Sequence, residues 1–425
     1  MLDRKFIRQE SEALRQAIAA KRESADLDAY LEMDKQLLSL IAQVEELQAE
    51  RNRASAAINE MKKSGEDASS AIAKTRELSQ RTKELEQQQS ELEEKLRELQ
   101  LNFPNIPSSD VPRGGEEDNV LIREWGEPIT ESDFEIKPHW DIGEELGLLD
   151  LARGAKVAGS GFPLLTGDGA RFQRALINFM LDLHREAGFT ELIPPLLVNS
   201  ESATGTGQLP KLEDDMYHCP IDDLWLIPTS EVPVTNMFAG EILGPSDLPR
   251  YYSAYTPCFR REAGAHGKDT RGLLRVHQFD KVEMVKFVRP ETSEEEHESL
   301  LVQAEKVLQA LELPYRVMLL ASGDLSFAAA KCYDLEIWSP GVGRWLEVSS
   351  VSNYTDFQAR RAGIRFRPGE REKPQFVHTL NGSGVALARL VAALLETGLT
   401  PLGRVKIPEV LRPYMGGQEF IGKED

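Results

Sequence analysis

Cys258-Phe259-Arg260-Arg261-Glu262, a polar turn-rich stretch, and then Leu274-Arg275-Val276-His277-Gln278-Phe279-Asp280-Lys281-Val282-Glu283 read together as strand, loop, strand. An Arg two residues before a Glu on a strand puts both side chains on one face. Such a pair can be a plain surface ion pair of little worth. The connecting stretch, however, carries Gly264, Gly267, Lys268, Asp269, Thr270, Arg271 and Gly272, and the returning strand again presents Arg or Glu at alternate positions. Phe279 lies among them. Arginine forks clamp phosphates through paired hydrogen bonds, and an aromatic ring stacks on a base. By its chemistry the segment is a nucleotide-phosphate clamp with an aromatic platform.

Around this hairpin, short β-like runs alternate with amphipathic helices expected over 170–187, 293–311 and 385–397. Runs such as Trp345-Leu346-Glu347-Val348-Ser349-Ser350 alternate polar and apolar residues, as half-open antiparallel strands do. The expectation is an α+β domain over 121–425, built on an antiparallel sheet flanked by helices. Neither a GxGxxG fingerprint nor a Walker P-loop is present, and Gly382-Ser383-Gly384 is too short a match to count as either.

Upstream, Phe103-Pro104-Asn105-Ile106-Pro107-Ser108-Ser109-Asp110-Val111-Pro112-Arg113-Gly114-Gly115 carries every turn signal. It marks residues 104–120 as a linker after an N-terminal domain over 1–103. Between residues 31 and 101 Pro and Gly nearly vanish. Leu37, Ile41, Val44, Leu47, Ala54, Ile58 and Met61 recur at threes and fours. Leu78, Leu85, Leu92 and Leu99 recur at sevens, with Thr75, Thr82, Gln89 and Leu96 between them. This is a heptad seam. Lys63-Ser64-Gly65-Glu66-Asp67 breaks it, ending one helix and offering Asp67 as N-cap of the next. The expected product is an α-helical antiparallel coiled-coil arm, each helix on the order of 50 Å long, too long to fold back into a compact core. Its outer positions mix signs, as a solvated surface does, although Arg51, Arg53, Arg76 and Arg81 can form a local basic strip.

At 425 residues the chain has room for two or three domains, with 41% hydrophobic and 28% charged residues. No apolar run approaches the roughly 18–20 residues that span a bilayer, and Met1-Leu2-Asp3-Arg4-Lys5-Phe6 lacks a signal-peptide core. Cys219, Cys258 and Cys332 fit neither a disulfide framework nor zinc spacing. They read as free thiols in a reducing cytoplasm. A net charge of −20 argues on its face against nucleic acid, but a local basic stripe is what matters.

The Phe259-Arg260-Arg261-Glu262 hairpin resembles the second signature motif of class II aminoacyl-tRNA synthetases. Gly188-Phe189-Thr190-Glu191-Leu192-Ile193-Pro194-Pro195 resembles the first, a long helix leading into a strand. Gly382-Ser383-Gly384-Val385-Ala386-Leu387-Ala388-Arg389 resembles the third. Three weak motifs in the right order are together strong. Within the class the chain is similar to the seryl-tRNA synthetase family over its whole length. Thr204-Gly205-Thr206-Gly207-Gln208-Leu209-Pro210, Pro228-Thr229-Ser230-Glu231-Val232-Pro233, Arg271 through Phe279, Ser352-Asn353, Asp356-Phe357-Gln358-Ala359-Arg360-Arg361 and Thr379-Leu380-Asn381-Gly382-Ser383-Gly384 carry that likeness, together with the helical arm. Ala388 stands where the family often has Gly, a local packing difference.

The resemblance implies a serine–tRNA ligase that forms seryl-adenylate from ATP and L-serine and passes the seryl group to the 3′ end of serine tRNA, and of selenocysteine tRNA where that exists. Arg260 would hold the α-phosphate and the serine carboxylate, Glu262 the adenine amino group, and Phe279 one face of adenine. Arg389 would cap the other face or hold the γ-phosphate. Arg275 would meet the β- and γ-phosphates, with Arg261, Val276, Val348 and Ser349 also at the nucleotide. Glu347 and Ser350 would supply oxygens to Mg²⁺. Thr229, Ser230, Glu231, Glu283 and Ser383 would surround serine, with Glu283 foremost and Glu231 beside it offering carboxylates to the ammonium. His277 is read as a strand histidine, because the attacking carboxylate is already ionised and needs no base. The arm would reach the long variable arm of tRNA on the partner of a homodimer, reconciling local contact with acidic net charge.

Rival readings explain less. A ligase that loads carrier proteins lacks such an arm. A class II enzyme for proline, threonine or glycine should lack Thr229-Ser230-Glu231 paired with Asn381-Gly382-Ser383-Gly384. A coiled-coil scaffold leaves residues 260–283 unexplained.

Overall fold

The computed structural model describes residues 1–263 and 271–423. Gly264, Gly267, Lys268, Asp269 and Thr270 lie outside the described residues. The chain divides into two compact units, Leu2–Phe103 and Pro104–Asp425, the latter together with Met1.

In the first unit, helices α1 (Leu27–Ser64) and α2 (Ser69–Leu101) lie side by side. The 38 residues of α1 make it about 57 Å long. The heptad reading holds at residue level: Leu37, Val44, Ile58, Thr82, Leu85 and Leu96 are buried, and the other seam positions are half-buried. Two helices alone cannot cover both sides of a seam, so partial burial is what this geometry permits. Thr82 occupies a buried position without penalty because its hydroxyl donates to the Leu78 carbonyl, 2.8 Å away. Gln48 and Lys74 tie the helices together through Glu86 and Glu50. Gly65 ends α1 at φ +79°, with Lys62 and Lys63 at the negative end of the helix dipole. The expected N-cap is displaced by one residue: Ala68 is the N-cap of α2, and Asp67 accepts the Ser69 N–H and hydroxyl from just outside it.

The second unit is built on an eight-stranded sheet among the described residues. In chain order its members are β1 (Val120–Trp125), β2 (Thr190–Leu192), β3 (Arg250–Phe259), β4 (Gln278–Val288), β5 (Tyr315–Leu319), β6 (Lys331–Ser339), β7 (Arg344–Asn353) and β8 (His378–Ala386). Their spatial order is β1-β5-β6-β7-β8-β4-β3-β2, antiparallel throughout except that β2 runs parallel to β3. Helices α3 (Asp168–Glu186), α4 (Ser293–Ala310) and α5 (Leu387–Thr397) pack on it. Phe172, Leu176 and Met180 of α3 meet Leu300, Leu301 and Leu308 of α4 and Leu390, Val391 and Leu394 of α5 in the main core. Each set recurs at helical spacing, so one stripe per helix faces the sheet. The expected antiparallel α+β fold is therefore the observed one.

Three expectations change in detail. The third helix starts at Leu387, not Val385, because Val385 and Ala386 still pair with Val282 and Lys281. Residues 104–112 do not hang free as a tether. Asn105 donates to the carbonyls of Ala328 and Tyr354, and the Ser108 N–H bonds to Ala330. Finally, the returning strand begins only at Gln278, and Arg260 and Glu262 lie beyond the end of β3. Glu262 has φ +51° and Gly272 φ +69°, so the backbone turns at both positions instead of extending.

Candidate active site

The segments that leave the strand ends frame a cavity of ≈ 340 Å³, within the range of small-molecule sites. Motif residues far apart in sequence meet there because β4, β7 and β8 are neighbours in the sheet. Arg260, Glu262, Arg275, Val276 and Phe279 line one part. Glu347, Val348 and Ser350 line another, and Arg389 closes it. Thr229, Glu231, Lys281, Asn381 and Ser383 form the buried end.

Arg260 stands between the two ends. Its guanidinium lies 5.1 Å from the Phe279 ring centroid, and its Nε donates to the Pro228 carbonyl at 3.3 Å, next to Thr229. Arg275 pairs with Glu262 at 3.4 Å. Arg389 Nε donates to the Leu274 carbonyl at 3.0 Å, and its Nη1 donates to the Glu347 carbonyl at 2.6 Å. The Ser350 hydroxyl lies 3.1 Å from Glu347 Oε1 on the same wall. Two hard oxygens so placed suit a small divalent cation better than nitrogen or sulfur ligands would.

The buried end is a polar network. Lys281 Nζ contacts Glu283 and donates to Thr229 Oγ1 at 2.8 Å, and Thr229 donates to Glu283 Oε2 at 3.1 Å. Glu231 accepts from Gln358 and, at 2.9 Å, from Asn381, whose Oδ1 accepts the Tyr354 hydroxyl. Burial, and then the charge of Glu283, push the Glu231 carboxyl from 4.5 up to about 7. Ser383 pairs with Glu283 at the end of the regular β8–β4 ladder, and a register shift follows between Ser383 and Val385. It is a bulge that re-aims the strand beside a site.

Four expected site residues stand off the cavity wall. Glu283 is 1% exposed and lies behind Thr229 and Lys281, with Oε1 lacking a hydrogen-bond partner. Ser230 is buried against Thr256, 2.6 Å between hydroxyls. Ser349 donates to the Ser383 carbonyl, so it shapes the strand rather than facing the cavity. Arg261 is exposed and not on the cavity wall, and its backbone N–H donates to the Asp215 carbonyl. Ser349 lies between Val348 and Ser350 on β7, with its hydroxyl turned to the neighbouring strand instead of the cavity.

Lys281, Asn381 and Tyr354 line the cavity without having been singled out. Lys281 was findable, since it lies two residues before Glu283 on a strand. Asn381 stood in the Thr379–Gly384 motif without a role of its own, and Tyr354 carried no local signal. His277 is oriented by its neighbours, its Nδ1 3.1 Å from the Arg260 carbonyl, but it is not a strand residue, because the strand begins at Gln278. Cys258 and Cys332 are buried free thiols whose burial raises their pKa, and Cys219 is partly exposed. No helix among the described residues is long and apolar enough to cross a membrane.

Comparison with known proteins agrees with this geometry. The family model for the class II tRNA synthetase core domain (G, H, P, S and T) matches residues 214–398, and that for the seryl-tRNA synthetase N-terminal domain matches residues 1–107. The serine–tRNA ligase of Thermomicrobium roseum is 54% identical over 426 residues, covering 100% of this chain and 95% of the relative. Seryl-tRNA synthetase from Pyrococcus horikoshii, solved with ATP, superimposes with a TM-score of 0.94 at 41% identity, covering 100% of both chains. The cytoplasmic serine–tRNA ligase of Naegleria fowleri, solved with AMP, gives 0.88 at 30% identity, covering 100% of this chain and 99% of that one. With both family models, the full-length relatives and the cavity in agreement, the chain belongs to the seryl-tRNA synthetase family, the ATP-dependent serine–tRNA ligases of class II.

Proposed function

We propose that this chain activates L-serine with ATP at the cavity around Arg260 and transfers the seryl group to the 3′ end of serine tRNA, and to selenocysteine tRNA where that tRNA exists. The observation that carries the site assignment is the place of Arg260. It bridges an aromatic, arginine-lined wall and a buried carboxylate-and-hydroxyl pocket. That is where the serine carboxylate must meet the α-phosphate. A guanidinium there neutralises the charge that builds up on phosphorus as the carboxylate attacks in line.

Phe279, Glu262, Val276 and Val348 form the adenine side. Arg275 and Arg389 are the phosphate cations, each held in place by a carboxylate or carbonyl. Arg261 and Ser349 support that wall from behind, as Ser230 supports the serine end. Mg²⁺ bound by Glu347 and Ser350 would draw charge from the phosphates and ease departure of diphosphate.

Thr229, Glu231 and Ser383 contact serine, with Glu283 supplying negative charge through Thr229. A pocket that hydrogen-bonds a hydroxyl rejects an analogue lacking it by roughly 10⁴-fold, so alanine is excluded at the adenylate step. The chain works in the cytoplasm as a homodimer. Ile193, Leu196 and Leu197, exposed at the end of the first motif, support that motif as the subunit interface. The arm of one subunit then contacts the long variable arm of tRNA charged by the other.

The test is amino-acid-dependent exchange of pyrophosphate into ATP. Serine alone among the standard amino acids is expected to support fast exchange. If none does, the enzyme reading is wrong; if threonine or alanine exceeds serine, the specificity is wrong.

Glu231 adds a pH dependence. Its proton is favoured in the folded chain, so that contribution to stability is complete below pH 4.5 and is lost as pH rises through about 7. Serine binding runs the opposite way, because an ammonium needs the ionised carboxylate. The KM for serine is expected to rise about tenfold for each pH unit below 7, and Glu231→Gln should flatten that profile. A flat profile in the unaltered chain would place the ammonium elsewhere.

A further inference from the structure

A buried polar pair outside the cavity holds the segment that forms its nucleotide wall. His139, at the start of helix His139–Glu145, and Glu396, in the last turn of α5, are both fully buried. Glu396 Oε1 accepts the His139 backbone N–H at 2.9 Å and lies 2.8 Å from Nδ1. Its Oε2 accepts the Gly341 N–H at 3.0 Å and the Ser339 hydroxyl. A carboxylate taking four bonds keeps the proton of the ring on Nδ1, which leaves a lone pair on Nε2. That lone pair accepts the Leu273 N–H at 3.0 Å.

Leu273 and Leu274 line the cavity, and the Leu274 carbonyl holds Arg389. Arg389 and Glu396 belong to one helix, seven residues apart. That is two turns along the same face, about 10 Å. The segment is thus fastened to α5 twice: to its first turn through Arg389, and to its last through His139 and Glu396. The approach is close. Gly272 has φ +69°, and a Cβ there would stand 2.3 Å from His139 Nε2 and 2.8 Å from the Trp140 ring. Next to it, Arg271 lies 4.8 Å over Trp140 and 3.3 Å from Asp141. Among the described residues no side-chain hydrogen bond runs from His139 or Glu396 to Thr229, Lys281 or Asn381.

We propose that His139, oriented by Glu396, is a positioning residue that sets Leu273, Leu274 and Arg389 for ATP and leaves serine recognition unaffected. The inference rests on the ligase reading above. If packing were all that position 139 supplied, a leucine would serve. The required feature is a neutral ring that donates on one side and accepts on the other.

The experiment is pyrophosphate exchange with full-length chain carrying His139→Asn, which can still donate to Glu396 but cannot reach Leu273, and His139→Gln, which can reach Leu273. Gly272→Ala perturbs the same contact without altering His139 or Glu396. Expected are a rise of about tenfold in the KM for ATP in His139→Asn and Gly272→Ala, a KM for serine within about twofold, and partial recovery in His139→Gln. An unchanged KM for ATP in the folded variants, or equal rises for ATP and serine, overturns the proposal, since a merely structural histidine would lower the melting temperature or the active fraction alone. Absence of exchange in the unaltered chain would instead overturn the ligase reading. If His139→Asn does not fold, Gly272→Ala decides between the same two outcomes.

Discussion

Arg260→Ala is expected to lower serine-dependent pyrophosphate exchange by roughly 10³-fold, the upper end of what one transition-state charge partner supplies. The loss should fall on kcat more than on the KM for either substrate, because charge grows at phosphorus only as the bond forms. Stability should hardly change. Arg260 is exposed, and the bond it makes to Pro228, at 3.3 Å, is long. Surface substitutions of this kind shift stability by about 0.5 kcal/mol. Arg260→Lys keeps the charge and loses the fork, so it should recover only part of the rate. Steady-state exchange and a thermal melt on the same preparation read both quantities. Exchange within threefold of the unaltered chain would remove Arg260 from the chemistry.

Removing residues 35–97 and closing the gap with a short glycine turn should separate the two half-reactions. Leu2–Phe103 is a compact unit distinct from the rest, and the cavity is lined entirely by residues from 229 onward. Exchange should therefore stay within about twofold, while charging of serine tRNA should fall on the order of 10²-fold or more through loss of phosphate contacts. Exposed Arg53, Arg76 and Arg81 on the arm mark where such contacts can form despite the net charge of −20. Charging at an undiminished rate would sink the arm's role. A loss of exchange in a folded variant would show that the arm acts on adenylate formation.

Much of this was legible because it is local. A heptad seam is a statement about residues seven apart, so α1 and α2 could be read directly, as could Gly65 at the turn. That Arg260, Glu262, Arg275 and Phe279 belong together was legible for the same reason, although the secondary structure beneath them was not. Alternation over 274–279 looks like a strand, yet Leu274 and Val276 are buried by packing without pairing in one. Alternating burial needs only an extended chain over a core; a strand also needs a neighbour to bond.

Sequence alone thus determined the arm, the antiparallel α+β class and a set of charged and aromatic residues that the fold brings to one cavity. Tertiary structure decided which of those residues face the cavity. Glu283 stands behind Lys281 and Thr229, Glu231 is raised to about 7 beside it, and His139, held by Glu396 257 residues along the chain, reaches Leu273 on the cavity wall. Side-chain chemistry is written in the residue itself. Burial, the pKa that follows from it, and the partner of a buried polar atom are set by segments distant in sequence, and exist only once β4, β8 and α5 have come together.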